Sequence, residues 1–146
     1  MDEKFCHVVV HRDVIVYLFR MTKLDQKYPK SVRLRRAKEF SCCARQGTIF
    51  IGQHLTIQFL QSSIYSLKFG ITVTKKFGKS HDRNRFKRIL RDIFRTHKHL
   101  IKKKCWIHVK PTQQKIIVDY QLYLKDFLTA IEQMGVTDEQ IIITTT

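Results

Sequence analysis

A run of basic side chains between Lys75 and Arg95 is the part of this sequence whose residue types and spacing could do chemistry. It reads KKFGKSHDRNRFKRILRDIFR, and carboxylates are few within it. Guanidinium groups are planar, stay charged, and can bond two phosphate oxygens at once. The run is therefore suited to binding phosphate groups. No nucleophile–base pair or carboxylate cluster stands out in the sequence to support protein-centred catalysis.

Most of this run has the spacing of an amphipathic helix. At about 100° per residue, the apolar side chains fall on one side and the polar side chains on the other. The apolar side comprises Phe86, Ile89, Leu90, Ile93 and Phe94. The opposite side, which we call the basic stripe, comprises Asn84, Lys87, Arg88, Arg91, Arg95 and Lys98, and it is flanked by Arg83 and Arg85.

The ends and the charges of this helix lead to three expectations. Ser80 should be its N-cap, and Asp82 in the first turn suits the helix dipole. Asp92 should pair with Arg88 at i,i+4, which cannot neutralise the whole stripe. Solvated helix faces usually mix signs, because like charges four residues apart repel. The nearly uniform sign favours a surface that binds a polyanion over a plain solvated face.

The composition of the whole chain indicates the same kind of partner. The 146 residues fit one domain, and a hydrophobic content of 43% is enough for a core. The formal net charge of +16 causes self-repulsion that a polyanion would relieve. Nucleic acid is the commonest such partner, and an anionic membrane is the alternative. A membrane-surface helix needs more exposed apolar area, whereas Phe86 and Phe94 are required for the core.

Cysteines and the N-terminus bear on compartment. Adjacent Cys42 and Cys43 are poorly spaced for zinc, and we interpret all four cysteines as reduced and mostly buried. The four are Cys6, Cys42, Cys43 and Cys105. The start is acidic where a signal peptide is basic, and Arg12 and Asp13 interrupt the apolar run after it. We therefore expect a cytoplasmic protein without a metal site.

The flanking patterns predict a helix-on-sheet domain. A helix is expected over Ser31–Gln46, ended by Gly47. Strands over Leu55–Phe59 and Leu67–Val73 should form a hairpin, with the turn at Gln61-Ser62-Ser63. Next come a strand over Trp106–Val109, a loop over Pro111–Gln114, and a helix from Tyr120 that ends at Gly135. Trp106 and Tyr123 are expected in the core.

Three regions follow from these patterns. Residues 1–27 form an N-terminal extension, 28–136 the domain, and 137–146 a tail. The charge pattern changes at Met21, so one hypothesis is that translation starts there. An extra strand or an extension is the alternative, and the intact mass of the natural protein distinguishes them.

The stretch FGITVTKKFGKSHDRNRFKRILRDIFR resembles the signature of the protein subunit of bacterial ribonuclease P. That pattern is a strand ending in Gly-x-x-Val-Ser-Lys-Lys, then a glycine, then Arg-Asn-Arg-x-Lys-Arg-x-x-Arg on a helix. The matching residues here are Gly70, Val73, Thr74, Lys75, Lys76, Gly78, Arg83, Asn84, Arg85, Lys87, Arg88 and Arg91. Thr74 replaces the serine. VRLRRAKEFSCCARQG resembles the family's first helix, so the resemblance spans roughly Lys30 to Met134.

The resemblance implies a single α/β (α+β) domain. Its four-stranded sheet carries helices and a left-handed βαβ crossover, as in the second domain of a small-subunit ribosomal protein. It also implies a protein that binds the catalytic RNA of ribonuclease P and the 5′ leader of precursor tRNA. The RNA carries the chemistry of 5′ maturation and most of the bound Mg²⁺. Neither a catalytic residue in the protein, nor a membrane, nor a protein partner is implied.

Carried over to this sequence, the resemblance implies a set of RNA-binding residues. They are Lys75, Lys76, Arg83, Asn84, Arg85, Lys87, Arg88, Arg91 and Arg95, with Arg83 and Asn84 near the cleavage region. Phe40 corresponds to an aromatic residue of the leader cleft, where a nucleotide can stack; the alternative is a core phenylalanine. Ala44 and Gln58 stand where larger apolar or aromatic residues are common, so charge is expected to hold the leader more than stacking does.

Two other nucleic-acid-binding classes compete with this interpretation. A DNA-binding helix-turn-helix would need a second helix packed against the basic one, and a strand precedes it instead. A structural RNA-binding protein without a role in cleavage fits the charge equally well. It differs only through the motif.

Overall fold

A computed structural model describes residues 27–61, 64, 66–101, 103–112 and 119–135. Along the chain it contains α1 (Ala37–Gln46), β1 (Thr48–Ile51), β2 (Leu55–Gln61), β3 (Lys68–Ile71), α2 (Ser80–His97), β4 (Cys105–Pro111) and α3 (Tyr120–Gln133). Short 3-10 turns occupy Lys30–Val32, Lys75–Phe77 and Lys98–Leu100. The hypothesis about Met21, most of the N-terminal extension and the tail lie outside the described residues.

The four strands form one mixed sheet in the order β1-β2-β4-β3. β2 runs antiparallel to β1 and to β4, whereas β3 runs parallel to β4. The chain passes from β3 to β4 through α2, which makes β3–α2–β4 the expected parallel crossover. Its left-handed sense stays a prediction. The α+β domain with a four-stranded sheet is as predicted.

The hairpin predicted between Leu55–Phe59 and Leu67–Val73 is wrong. β4 lies between the two strands, and β2 forms its hairpin with β1, a strand that was not predicted. Five successive residues are buried at the start of both β2 and β4, so these strands take the central positions. The shorter strands β1 and β3 lie at the edges.

The helix predicted over Ser31–Gln46 begins later than expected, at the start of α1. The backbone N–H of Leu34 donates to the carbonyl oxygen of Phe69 at 3.1 Å, so the residues before α1 run along the outer edge of β3. The Glu39 carboxylate accepts from the N–H of Arg36 at 3.0 Å and satisfies a backbone group at the helix start. Edge pairing has replaced the first predicted turns.

The predicted C-terminal ends of α1 and α3 are confirmed, whereas the predicted N-cap of α2 is wrong. Gly47 follows α1, and its N–H donates to Cys43 O at 3.1 Å. Gly135 follows α3 with a φ of +58°, a conformation that favours glycine. Ser80 is the first residue of α2 and not its N-cap; Lys79 holds that position without a side-chain cap.

The main core lies between one face of the sheet and the helices α2 and α3. α2 contributes Phe86, Leu90, Ile93 and Phe94, and α3 contributes Tyr123, Phe127, Ala130 and Ile131. The rings of Phe69 on β3 and Phe94 on α2 stack at 4.3 Å. The prediction that Tyr123 is a core residue is confirmed.

The opposite face of the sheet carries α1 over a smaller cluster. Leu34, Cys43 and Trp106 are buried there, which confirms the core position of Trp106. Ile49 and Ile51 on β1 are paired in register with residues of this face and are exposed. Helix α1 therefore leaves the β1 end of the face uncovered.

The described cysteines are free thiols. Cys43 and Cys105 are fully buried, and burial raises the pKa of Cys43 to about 11 and that of Cys105 to about 12. Cys42 is half-buried, and Cys6 lies outside the described residues. The buried pair thus consists of protonated, unreactive core thiols, as expected.

Gly70 leaves a space that two neighbours fill. A Cβ at this position would lie 2.6 Å from Phe40 Cε1 and 2.7 Å from Leu34 Cβ. We expect Gly70→Ala to lower the free energy of unfolding by about 1–3 kcal/mol, because α1 and its preceding segment must shift. Denaturant unfolding measures this loss. It should shrink when Phe40 is also changed to alanine; an equal loss in both backgrounds would show that the strain lies elsewhere.

Candidate nucleic-acid interface

Helix α2 presents its basic stripe because its other side is fixed in the core. Phe86 and Phe94 are fully buried, and so are Leu90 and Ile93 between them. The ring of Phe86 meets Tyr123 of α3 edge-to-face at 5.2 Å, while Phe94 stacks on β3. The contacts of Phe86 and Phe94 therefore set the rotation of the helix, and its polar side must point outward.

The structure places the predicted stripe largely at the surface. Asn84, Arg85, Arg88, Arg91 and Arg95 are exposed, and Arg83, Lys87 and Lys98 are half-buried. All of them lie on α2 or directly after it, so the structure brings this part of the predicted site together. The Nε atom of Arg83 is buried and has no hydrogen-bond partner in the described part of the chain.

The predicted pair between Asp92 and Arg88 is wrong. Asp92 instead pairs with Arg95, three residues further along. Helical side chains lean toward the helix N-terminus, so Arg95 reaches back to Asp92 while Arg88 leans away from it. Both partners are exposed, and such a pair contributes at most about 1 kcal/mol. The stripe keeps its positive character.

Lys75 and Lys76 lie in the 3-10 turn that leads to α2. Both side chains are exposed, whereas Phe77 beside them is buried and its ring lies 5.0 Å from that of Phe86. Gly78 follows with a φ of 157°, which L residues rarely adopt. The buried phenylalanine and the glycine turn place the two lysines next to the first turn of the basic helix.

A cleft of about 240 Å³ joins the basic stripe to the α1 side of the sheet. Its lining includes Lys87 and Arg91 of α2 together with Phe40 of α1. Arg33 and Arg35, from the segment that runs along β3, line it as well. No carboxylate is among its described lining residues. The cleft can therefore accommodate an extended polyanion between cations that come from two separate parts of the chain.

Among the polar residues of this cleft, Tyr28, Arg33 and Arg35 were not predicted as site residues. The Tyr28 hydroxyl donates to Phe69 O at 2.8 Å, and the Arg33 guanidinium lies 4.7 Å from the centre of the tyrosine ring. Burial raises the pKa of Tyr28, while Arg33 and Arg91 act to lower it. The basic run VRLRR was a signal, but its contribution to the cleft depends on the pairing along β3.

Phe40 is half-buried, so it is neither a full core residue nor a free surface ring. It packs beside the small cluster under α1 and lines the cleft. Ala44, one helical turn further, is exposed and adds no ring. Gln58, which stands where an aromatic residue is common in the family, is 4% exposed and faces β4.

A buried polar network lies beneath Phe40. His108 is 7% exposed; its Nδ1 lies 2.8 Å from Gln58 Oε1, and its Nε2 lies 2.9 Å from Thr72 Oγ1. An amide oxygen only accepts, so Nδ1 carries the proton and Nε2 accepts from the threonine hydroxyl. Burial lowers the pKa of His108 to about 4, and the charge of Lys110 acts in the same direction. The imidazole is therefore neutral at physiological pH.

Two further observations bear on possible partners. The described residues contain no group of three or more His, Cys, Asp or Glu side chains that could hold a metal ion. None of the helices described here is both long and apolar enough to cross a bilayer.

Fold and site together define an α+β protein whose predominantly cationic helix lines a cleft that contains an aromatic ring. The family model described as Ribonuclease P matches residues 28–135. The ribonuclease P protein component of Chlamydia pneumoniae is 36% identical over 106 residues, covering 72% of this chain and 76% of that protein. That of Chlamydia caviae is 39% identical over 107 residues, covering 72% and 75%. The chain belongs to the ribonuclease P protein component family.

Solved structures agree with this assignment. The RNase P protein from Thermotoga maritima is 28% identical, with a TM-score of 0.62 over 69% of this chain and 96% of that chain. The RNase P protein of Staphylococcus aureus has a TM-score of 0.66 over 75% of this chain and 100% of that chain. At 22% identity the second likeness supports the fold alone.

Acid should destabilise this domain through His108. Its native pKa of about 4 lies below the ordinary 6.5, so the unfolded chain takes up the proton more readily. The stabilising effect is present above the unfolded pKa and is lost as the pH falls toward the native one. Between about pH 7 and about pH 5 we expect a loss of about 2 kcal/mol in the free energy of unfolding, measured with denaturant.

The matched comparison uses a histidine variant and a variant without a titrating group. His108→Phe keeps a ring and removes the titrating group, so it should flatten this pH dependence. Thr56→Val changes another buried residue on the same face of the sheet and neither adds nor removes a titrating group, so it should leave the dependence intact. A wild-type slope in His108→Phe would contradict the assignment.

Proposed function

We propose that this chain is the protein subunit of ribonuclease P, acting with a catalytic RNA in cleavage of the 5′ leader from precursor tRNA. The observation that carries the proposal is the position of Lys87 and Arg91. Both belong to the basic stripe, and both line the cleft that contains Phe40. One continuous surface thus offers charge for a folded RNA and an aromatic cleft for a single strand. Family membership supports the same function.

The basic stripe is the proposed contact with the catalytic RNA. The RNA-binding residues assigned to this contact are members of the stripe and the basic residues before and beside it: Lys75, Lys76, Arg83, Asn84, Arg85, Lys87, Arg88, Arg91 and Arg95. Each cation that meets a phosphate displaces condensed counterions, which makes affinity fall steeply with salt. The guanidinium groups project from a helix fixed in the core, so the backbone that carries them needs no ordering on binding.

The cleft is the proposed site of the 5′ leader. Arg33 and Arg35 on one wall and Lys87 and Arg91 on the other supply cations along a narrow passage, and Phe40 supplies a ring on which a base can stack. Neither Ala44 nor Gln58 adds a second ring. The leader would therefore be held more by charge than by stacking.

The cleavage chemistry is proposed to lie in the RNA subunit. Magnesium would stabilise the charge on the reacting phosphate, but the donor groups of the described residues do not fit a metal site in this chain. Arg83 and Asn84 would position RNA phosphates near the cut and so favour metal binding by the RNA there. The proposed setting is the cytoplasm, without membrane or protein partners.

Reconstitution tests the function. The protein, added to the ribonuclease P RNA of its organism, should stimulate cleavage of precursor tRNA at low Mg²⁺. RNA binding without stimulation would instead identify a structural RNA-binding protein.

In the same assay, Arg83→Ala or Asn84→Ala should slow cleavage at low Mg²⁺. High Mg²⁺ should restore the cleavage rate of these variants, because the proposed defect is in metal binding near the cut. Failure of rescue would contradict that role.

Replacing Arg88, Arg91 and Arg95 together with alanine should weaken binding to the RNA subunit. The slope of log affinity against log salt should become shallower by about two to three units, since three phosphate contacts are lost. Salt titration of binding measures this slope. The matched control removes the same amount of charge outside α2. It replaces three exposed residues with alanine: Lys38, Arg45 and Lys125. If the triple mutant keeps the wild-type slope, the basic stripe is only a solvated face and does not bind RNA.

A further inference from the structure

The ring of Phe40 packs against two residues of the sheet, Gly70 on β3 and His108 on β4. These two residues are register partners on adjacent parallel strands. Any Cβ on Gly70 would collide with the Phe40 ring. The His108 ring lies 5.0 Å from the Phe40 ring at an interplanar angle of 76°, an edge-to-face contact. Phe40 thus occupies the space above Gly70 with His108 at its side.

His108 is itself held in place from two sides. Gln58 on β2 binds one ring nitrogen and Thr72 beyond the end of β3 binds the other. Rotation of the imidazole would break both hydrogen bonds and leave buried polar atoms without partners, which costs free energy. The orientation of the imidazole is therefore fixed by groups far apart in sequence.

Simple core packing does not require this arrangement. Next to it, the same face of the sheet under α1 is covered by apolar groups, Trp106 and Leu60. A buried imidazole must have its nitrogens satisfied, so it is costlier than a leucine at a site that needs only volume. The hydrogen bonds from Gln58 and Thr72 instead give the His108 ring a fixed orientation next to Phe40.

We propose that His108 is a positioning residue: held by Gln58 and Thr72, it fixes the Phe40 ring in the orientation on which a leader nucleobase stacks. This inference rests on the proposed function of the cleft. A phenylalanine held in one rotamer loses less conformational freedom on binding, so a fixed ring binds a base more tightly than a mobile one. His108 acts through Phe40 and need not contact RNA.

The experiment compares holoenzyme affinity for two precursor tRNAs, one with a leader of several nucleotides and one with a single-nucleotide leader. The ratio of the two Kd values isolates the leader contribution. Phe40→Ala should reduce this ratio by roughly tenfold, the size expected for one lost stack. His108→Ala should reduce it by roughly threefold to tenfold, the size of an aromatic pair. Affinity for the single-nucleotide substrate should not change.

A double-mutant cycle separates positioning from general stability. In the Phe40→Ala background, His108→Ala should change the ratio by less than about 1.5-fold, because the residue through which it acts is absent. Thr56→Val is the matched control. It removes the hydroxyl bond to Thr112, 2.9 Å long, on the same face of the sheet, and should leave the ratio unchanged.

A milder variant covers the case in which His108→Ala does not fold. Thr72 is exposed, so Thr72→Val should fold, and it still removes the hydroxyl that donates to Nε2 of His108. The ratio of the two Kd values should fall roughly twofold, which corresponds to the loss of a weak hydrogen bond. No leader dependence in the wild type would overturn the proposed function of the cleft. Leader dependence that Phe40→Ala abolishes, but that His108→Ala and Thr72→Val both retain, would overturn only the positioning role. Equal effects of His108→Ala with and without Phe40 would overturn it as well.

Discussion

The burial of one side of α2 against the sheet is the interaction on which the rest of the molecule depends. Each fully buried leucine, isoleucine or phenylalanine stabilises by about 1.5–3 kcal/mol, and four such residues face the core from this helix. Like charges one turn apart cost only about 0.2–0.5 kcal/mol per pair. Burial outweighs repulsion, so one side of the helix can carry almost a single sign of charge.

The edge strand β3 is what connects this helix to the rest of the candidate site. The chain leaves β3 through the two lysines and enters α2, so both features belong to the same edge. The segment before α1 pairs with the outer side of β3 and brings Arg33 and Arg35 to face Lys87 and Arg91. The cleft is thus a consequence of edge pairing. Its cations come from stretches of sequence about fifty residues apart and converge through backbone hydrogen bonds.

Local patterns predicted the parts of this structure that depend on local spacing. The periodicity of α2 located its apolar side, and the expectation that Trp106 and Tyr123 lie in the core is confirmed. The hairpin was wrong because alternation shows that a strand has two faces but not which strand lies beside it. Helical spacing from Ala37 to Cys43 was extended too far toward Ser31, since nothing local shows that β3 has an open edge.

The polar network could not be predicted for the same reason. His108 is a lone histidine in a strand, and its partners Gln58 and Thr72 lie 50 and 36 residues away in the sequence. Gln58 was noticed as a departure from the family pattern, yet only the β2–β4 register shows that its amide meets an imidazole. Sequence therefore located the charge of the candidate site, and the fold supplied the arrangement around its aromatic ring.

The central claim is that the two sides of α2 are separable, one for the fold and one for RNA. Its most direct test is denaturant unfolding of the free protein, without RNA, for the wild type and for the variant with alanine at Arg88, Arg91 and Arg95. At low salt the variant should be at least as stable as the wild type, because repulsion is relieved, and the difference should shrink as salt screens the charges. A loss of more than about 2 kcal/mol at low salt would mean that the stripe holds the fold together, since surface pairs rarely contribute that much.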